Sequence, residues 1–306
     1  MVGRLPAVAV VMLVFFVSGC GGGGGASVTA DGSSTVGPFT TKAAEDWKRD
    51  GGADVSVGIS GTGGGFERFC AGETDISNAS RPIRAEEVEL CEENGVEYVE
   101  LQVAIDALTN VVNPQNDWAD CLTVEQLHAI WRPGSTVTNW KQVDPSFPDV
   151  PLQLFGAGTD SGTFDYFTEA INGEAGASRT DYSATEDDNV TVQGVAGNRG
   201  GLGYFGFSYF EQNQDKLKAL EVDGGNGCVA PSIESAQNGT YTPLSRPLFI
   251  YVSLASLRGN ENVEAFVRYA LENARTVAQE ALFVPMSQAQ IDEQLAKLDA
   301  AVSATS

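Results

Sequence analysis

What this chain lacks sorts its chemistry before anything it contains. Among 306 residues there is a single histidine, His128. It stands in "TVEQLHAIW", where helical spacing reads it as a surface or boundary residue. A Ser-His-Asp or Cys-His arrangement needs a histidine beside its nucleophile, so both are unsupported. Basic residues are scarce as well: 18 Lys and Arg stand against 41 Asp and Glu, a formal charge of −23. A surface of that sign repels nucleic acid and anionic lipid alike. Any anion bound here has to be held by local donors, because the global field opposes it. No G-x4-G-K-[ST] phosphate loop occurs. Gly158 to Gly162 reads G-T-D-S-G, one place out of register for a G-x-S-x-G nucleophile elbow. Asp160-Ser161-Gly162 could be half of an aspartic-protease pair, but the second D-[ST]-G that would share its proton is missing. The sequence therefore argues against an enzyme, and it expects no cofactor and no metal.

Long apolar runs are also missing, with one exception at the N-terminus. Arg4 precedes an apolar run over residues 5–17, which is too short to cross about 30 Å of hydrocarbon as a helix and suits a secretory signal. The run ends Val17-Ser18-Gly19-Cys20, similar to a lipobox in which a cysteine carries diacylglycerol before the chain is cut in front of it. Cys20 is thus the expected lipidation site, residues 1–19 the signal peptide, and glycines 21–25 a flexible tether. Only that extreme N-terminus is expected to touch the membrane. Four cysteines remain, Cys70, Cys91, Cys121 and Cys228. In an exported, oxidising setting an even number favours two disulfides, and three pairings are open. No cysteine pair has the short spacing zinc uses, and His128 is far from all of them.

The rest is a chain that buries a core, with 42% hydrophobic residues and length for one large domain or two ordinary ones. Short β-rich runs are expected at 28–30, 55–60, 98–103, 108–112, 152–155, 202–207, 218–222 and 248–252. Helical patterns are expected at 39–49, 66–71, 86–94, 124–130, 164–171, 190–196, 261–273 and 276–282. This alternation predicts an α/β fold with largely parallel sheets, and residues 300–306 read as a frayed tail. "LGYFGFSYF" reads as a buried strand, and Trp47, Trp118, Trp131 and Trp140 as packing.

Three segments share one design of apolar strand, Gly/Ser/Thr turn and helix: "VTADGSSTVGPFTTKAAEDW", "VSVGISGTGGGFERFC" and "LFGAGTDSGTFDYFTEAI". Glycine lets a backbone approach a ligand, the first turn of a helix points free N–H groups outward, and Ser and Thr donate without carrying charge. Any one of these could be ordinary capping, with Ser161 or Thr35 satisfying its own helix. Three in one chain, with Ser80 and Arg81 in "DISNASRPI", point to convergence on an oxyanion.

Those segments, with "LGYFGFSYF" and "PLSRPLFIYV", resemble the phosphate-binding lipoproteins of bacterial phosphate ABC transporters, a type II periplasmic-binding-protein-like family. The resemblance covers essentially everything after the tether. It implies two α/β lobes joined by two crossovers, with the ligand closed between them: lobe one over 27–104 plus 246–306, lobe two over 105–245. It implies phosphate donors at Ser34, Thr35, Val36 and Thr62 from one lobe, and at Ser161, Gly162 and Thr163 from the other. Those relatives carry an aspartate where Ser80 stands and an arginine where Ala157 stands. Arg81 is then expected to supply the positive charge, and Asp160, or Asp188 in its place, to accept the phosphate proton. On this architecture the pairings Cys70–Cys91 and Cys121–Cys228 each keep a bridge within one lobe. The implied function is capture of inorganic phosphate by a monomer and its delivery to a membrane permease, by hinge closure without catalysis. The alternatives are another tetrahedral oxyanion, sulfate or molybdate, and a secreted phosphoester hydrolase using Asp160 or Ser161.

Overall fold

The computed structural model describes residues 27–159, 161–185 and 187–305. The signal segment, Cys20 and Asp160 lie outside the described residues. The chain begins with β1 (Val28–Gly32), α1 (Gly37–Arg49), β2 (Val55–Val57), α2 (Gly61–Cys70), β3 (Ile76–Ala79) and α3 (Ala85–Glu93). These lead into the long strand β4 (Tyr98–Val112). There follow β5 (Cys121–Thr123), α4 (Val124–Trp131), α5 (Trp140–Val143), β6 (Gln153–Ala157), α6 (Gly162–Asn172), β7 (Ser183–Thr185), α7 (Asp188–Ala196) and β8 (Gly201–Gly206). Short elements come next: α8 (Phe207–Glu211), β9 (Lys218–Ala219), β10 (Glu221–Asp223), β11 (Cys228–Val229) and α9 (Ile233–Gln237). The chain returns through β12 (Ser245–Ser253) to α10 (Leu254–Gly259), α11 (Glu261–Glu272), α12 (Ala274–Glu280) and α13 (Gln288–Thr305).

The principal sheet runs in the order β2-β1-β3-β12-β4-β8-β6-β7, with β9 also paired to β4. Its two flanks are parallel, as the alternation predicts: β1 lies parallel to β2 and β3, and β6 parallel to β7 and β8. The middle differs. There β12 and β4 are antiparallel from Ser245↔Ala107 to Ser253↔Tyr98, and β4 and β8 are antiparallel again. A strand returning from the second half of the chain necessarily runs against the one that went out.

That middle pair joins two lobes, each with its own core. Val28, Phe39, Ile76, Leu101, Ile250 and Phe266 pack together in the first. Leu108, Trp131, Trp140, Phe167 and Tyr204 do so in the second. The strand phase explains the division, since Val28 and Ala30 alternate inward on β1 while Phe39 and Ala43 place one face of α1 over them. In the second core Phe167 and Tyr204 stack with centroids 3.7 Å apart, and Trp131 meets both edge-on. Removing a buried ring of this kind costs about 3–5 kcal/mol. β8 is buried, as "LGYFGFSYF" suggests, but the strand ends at Gly206; Phe207 to Phe210 turn into α8, where Ser208, Tyr209 and Phe210 are half-buried.

Both disulfides have the expected pairing. Cys70–Cys91 joins the end of α2 to α3, and Cys121–Cys228 joins β5 to β11. The frayed tail is not what the structure shows: α13 continues to Thr305, because Leu298 is buried and Ala301 and Val302 pack on the first core. Among the described residues no helix is long and apolar enough to cross a membrane.

Candidate functional site

The three strand–turn–helix units form as the sequence predicts. In the first, β1 ends at Gly32, and α1 starts at Gly37 with Pro38 in its opening turn, where no N–H is needed. Here the structure adds Ser33, whose Oγ accepts from the Thr35 and Val36 amides at 3.2 and 3.4 Å. Buried Asp31 ties this turn to the second unit. Its Oδ1 accepts from the Gly32 amide at 2.7 Å and the Ser60 amide at 3.0 Å, and Arg68 pairs with its other oxygen. Gly65 lets α2 lie against β1, since a Cβ there would stand 2.5 Å from the Gly32 Cα. Thr62, in the first turn of α2, shares a hydrogen bond with the Ser80 hydroxyl at 3.1 Å and accepts from the Ser80 amide at 3.3 Å. Thr62 and Ser80 are therefore brought together.

In the third unit Ser161 caps α6, its Oγ accepting from the Thr163 amide at 3.2 Å. The capping reading thus holds for Ser161, and the helix start nevertheless faces the first lobe. A Cβ built on Gly162 would lie 2.8 Å from the Thr35 Oγ1 and 3.7 Å from the Ser34 Oγ. Ser34, Thr35 and Gly162 thus converge from opposite lobes.

Two charged residues without a predicted role complete the cluster. Arg246 on β12 and Asp106 on β4 are register partners in the joining pair of strands. Arg246 Nε and Nη2 each stand 3.3 Å from one Asp106 oxygen. Nη2 also donates to Thr35 Oγ1 at 3.3 Å, and the guanidinium carbon sits 3.7 Å from the centroid of the Tyr166 ring of α6. The Tyr166 hydroxyl donates to the Pro243 carbonyl at 2.9 Å, which fixes the ring. Burial pushes the Asp106 carboxyl above its ordinary range, and the Arg246 charge opposes that rise. The sequence marks this pair only by position: Asp106 and Arg246 sit beside the two lobe boundaries that the resemblance implies.

A cavity of about 240 Å³ opens beside them, lined on the first-lobe side by Ser80 and Arg81 and on the α6 side by Tyr166 and Glu169, with Arg246 between. Arg81 is engaged there: Nη1 and Nη2 donate to the two Glu87 carboxylate oxygens at 2.8 and 2.7 Å. Burial raises the Glu87 pKa, but the hydrogen bonds from Arg81 and from the Arg84 amide outweigh it, and the net shift is downward. Arg179 is committed elsewhere, to both Asp181 oxygens and to the Ile130 and Val137 carbonyls. Asp188 opens α7, and its charge acts on Tyr209. His128 is exposed on α4, its Nδ1 3.2 Å from the Ile171 carbonyl, which fits the boundary reading. Among the described residues one His/Cys/Asp/Glu group has metal-like spacing, Cys121, Glu221 and Cys228. Its two sulfurs are bonded to each other and are not ligand thiolates.

Residues 21–274 match the PBP superfamily domain model. The protein SphX of Synechococcus elongatus is 53% identical over 264 residues, covering 85% of this chain and 78% of that protein. The phosphate-binding protein PstS of Staphylococcus saprophyticus is 41% identical over 289 residues, covering 92% and 89%. Among solved structures, a possible phosphate binding protein from Planctomyces limnophilus superposes with a TM-score of 0.85 at 44% identity, covering 90% of this chain and 99% of that one.

Proposed function

The chain belongs to the PBP superfamily and to the family of phosphate-binding proteins within it, and from that premise we propose that it captures inorganic phosphate outside the cytoplasm and passes it to an ABC permease. The observation that carries this reading is the approach of Gly162 to Thr35. It brings the start of α6 on one lobe against the Ser34–Thr35 turn on the other, so that hydroxyls and amides of both lie at one place. The ligand set is Ser34, Thr35, Val36, Thr62 and Ser80 from one lobe and Ser161, Gly162 and Thr163 from the other, with Asp160 to accept the phosphate proton; Arg81 lines the adjoining cavity outside that set, paired with Glu87. The two lobes divide at 104/105 and 245/246, and closure about the β4–β12 pair buries the anion. The protein acts as a monomer without covalent chemistry, held to the membrane through a lipidated Cys20.

Hydrogen bonds to a charged group contribute about 1.5–3 kcal/mol each, and a micromolar Kd needs about 8 kcal/mol net. Eight such donors are enough after desolvation and closure are subtracted. Net positive charge is not required, which reconciles the site with the formal −23. Calorimetric titration of the purified protein with phosphate, sulfate and molybdate tests the reading. It expects phosphate to bind at about micromolar Kd or tighter and to be displaced by neither competitor. Absence of phosphate heat, with sulfate or molybdate binding instead, would replace the ligand. Release of phosphate from a phosphoester would replace binding with hydrolysis.

A further inference from the structure

We propose that Arg246 is the cationic anchor of the cleft, a ligand to the bound anion that also clasps the two lobes from the strand joining them. The assignment rests on the anion-binding reading of this site.

Arg246 is the residue common to both parts of the cleft. Its Nη2 reaches the Thr35 hydroxyl of the first lobe at 3.3 Å, and its guanidinium lies 3.7 Å from the Tyr166 ring of the second. It also borders the cavity into which Ser80 and Arg81 face. A residue whose only task was to neutralise Asp106 would have no need of either contact. Geometry leaves it donors to spare: a guanidinium carries five N–H groups, and Nε and Nη2 make the bonds to Asp106 and Thr35. Among the described residues Nη1 of Arg246 has no hydrogen-bond partner, so its two N–H groups remain for an oxyanion.

The competing cation is less suited. Arg81 lies at the same cavity but has both terminal nitrogens on the Glu87 carboxylate. Asp106 holds Arg246 differently, through Nε and Nη2 onto a single oxygen, which fixes the plane of the guanidinium and leaves its far edge free. Asp106 is then a positioning residue. Because Arg246 sits on β12, which pairs with β4 along the whole junction, the anchor is fixed to the hinge and not to either moving surface. An anion drawing Thr35 and the start of α6 toward Arg246 would pull both lobes onto one point.

Phosphate calorimetry on four proteins tests this. Arg246→Lys keeps the charge and loses the planar guanidinium that Asp106 holds in place. Arg246→Gln combined with Asp106→Asn removes both charges and leaves no lone buried carboxylate, so it folds even if Arg246→Gln alone does not. Arg81→Gln is the comparison, and the unmodified protein the reference. The expected losses are at least about 30-fold for Arg246→Lys and at least about 100-fold for the double variant, against no more than about threefold for Arg81→Gln. Thermal unfolding of each variant confirms the fold. A double variant that binds as tightly as the unmodified protein overturns the assignment while leaving the phosphate reading intact. An Arg81→Gln loss larger than that of the double variant overturns it equally. An unmodified protein silent toward phosphate overturns the phosphate reading, and the assignment with it.

Discussion

Gly162, the first residue of α6, faces Thr35 across the cleft so closely that a methyl group on its Cα would stand 2.8 Å from the Thr35 Oγ1. Contact this short demands that the Thr35 side chain turn or that the two turns separate. Gly162→Ala should keep the fold, since alanine suits a helix start, and weaken anion binding by about tenfold, roughly 1.4 kcal/mol. Unchanged affinity in the alanine variant would mean that Gly162 does not set the closed distance.

The Arg81–Glu87 pair gives a prediction for acid stability. Hydrogen bonds from Arg81 and Arg84 prevail over burial and bring the folded Glu87 pKa below its ordinary value of 4.5. A lowered carboxyl pKa stabilises the fold above the unfolded value, and that contribution disappears as pH falls through the folded one. Glu87→Gln should therefore be less stable at neutral pH by about 1–3 kcal/mol. The gap should narrow below about pH 4.5, once the native carboxyl is protonated. Urea unfolding of both proteins across that range measures it; a gap independent of pH would contradict the argument.

The two disulfides differ in access. Cys70 and Cys91 are both fully buried, whereas Cys228 is exposed and Cys121 half-buried. Mild reductant should open Cys121–Cys228 first, as thiol counting by mass spectrometry would show. That bridge spans 107 residues in sequence, and a loop of such length is worth about 4.7 kcal/mol on the chain-entropy account. Its loss should lower the unfolding midpoint measurably, and earlier reduction of Cys70–Cys91 would refute the ordering.

How much of this was legible follows from how local each feature is. Turn glycines, hydroxyls and helical periodicity lie within a few residues of one another, so the units around Thr35, Thr62 and Ser161 could be read directly. β4 was legible only as two pieces, 98–103 and 108–112, because the charged Asp106 falls in the gap between them. Burial of Asp106 becomes intelligible once Arg246 stands opposite, 140 residues away. Asp31 was hidden for a similar reason: its partners Ser60 and Arg68 lie beyond the next strand. The antiparallel middle of the sheet is a property of the return path, to which no local segment testifies.

The most direct measurement is a crystal structure of the protein with phosphate bound. The account predicts the anion between the Thr35 turn and the start of α6, within hydrogen-bond distance of Arg246, Thr35 and Gly162. Phosphate found away from that cleft, or in it with Arg246 turned aside onto Asp106 alone, would contradict the account.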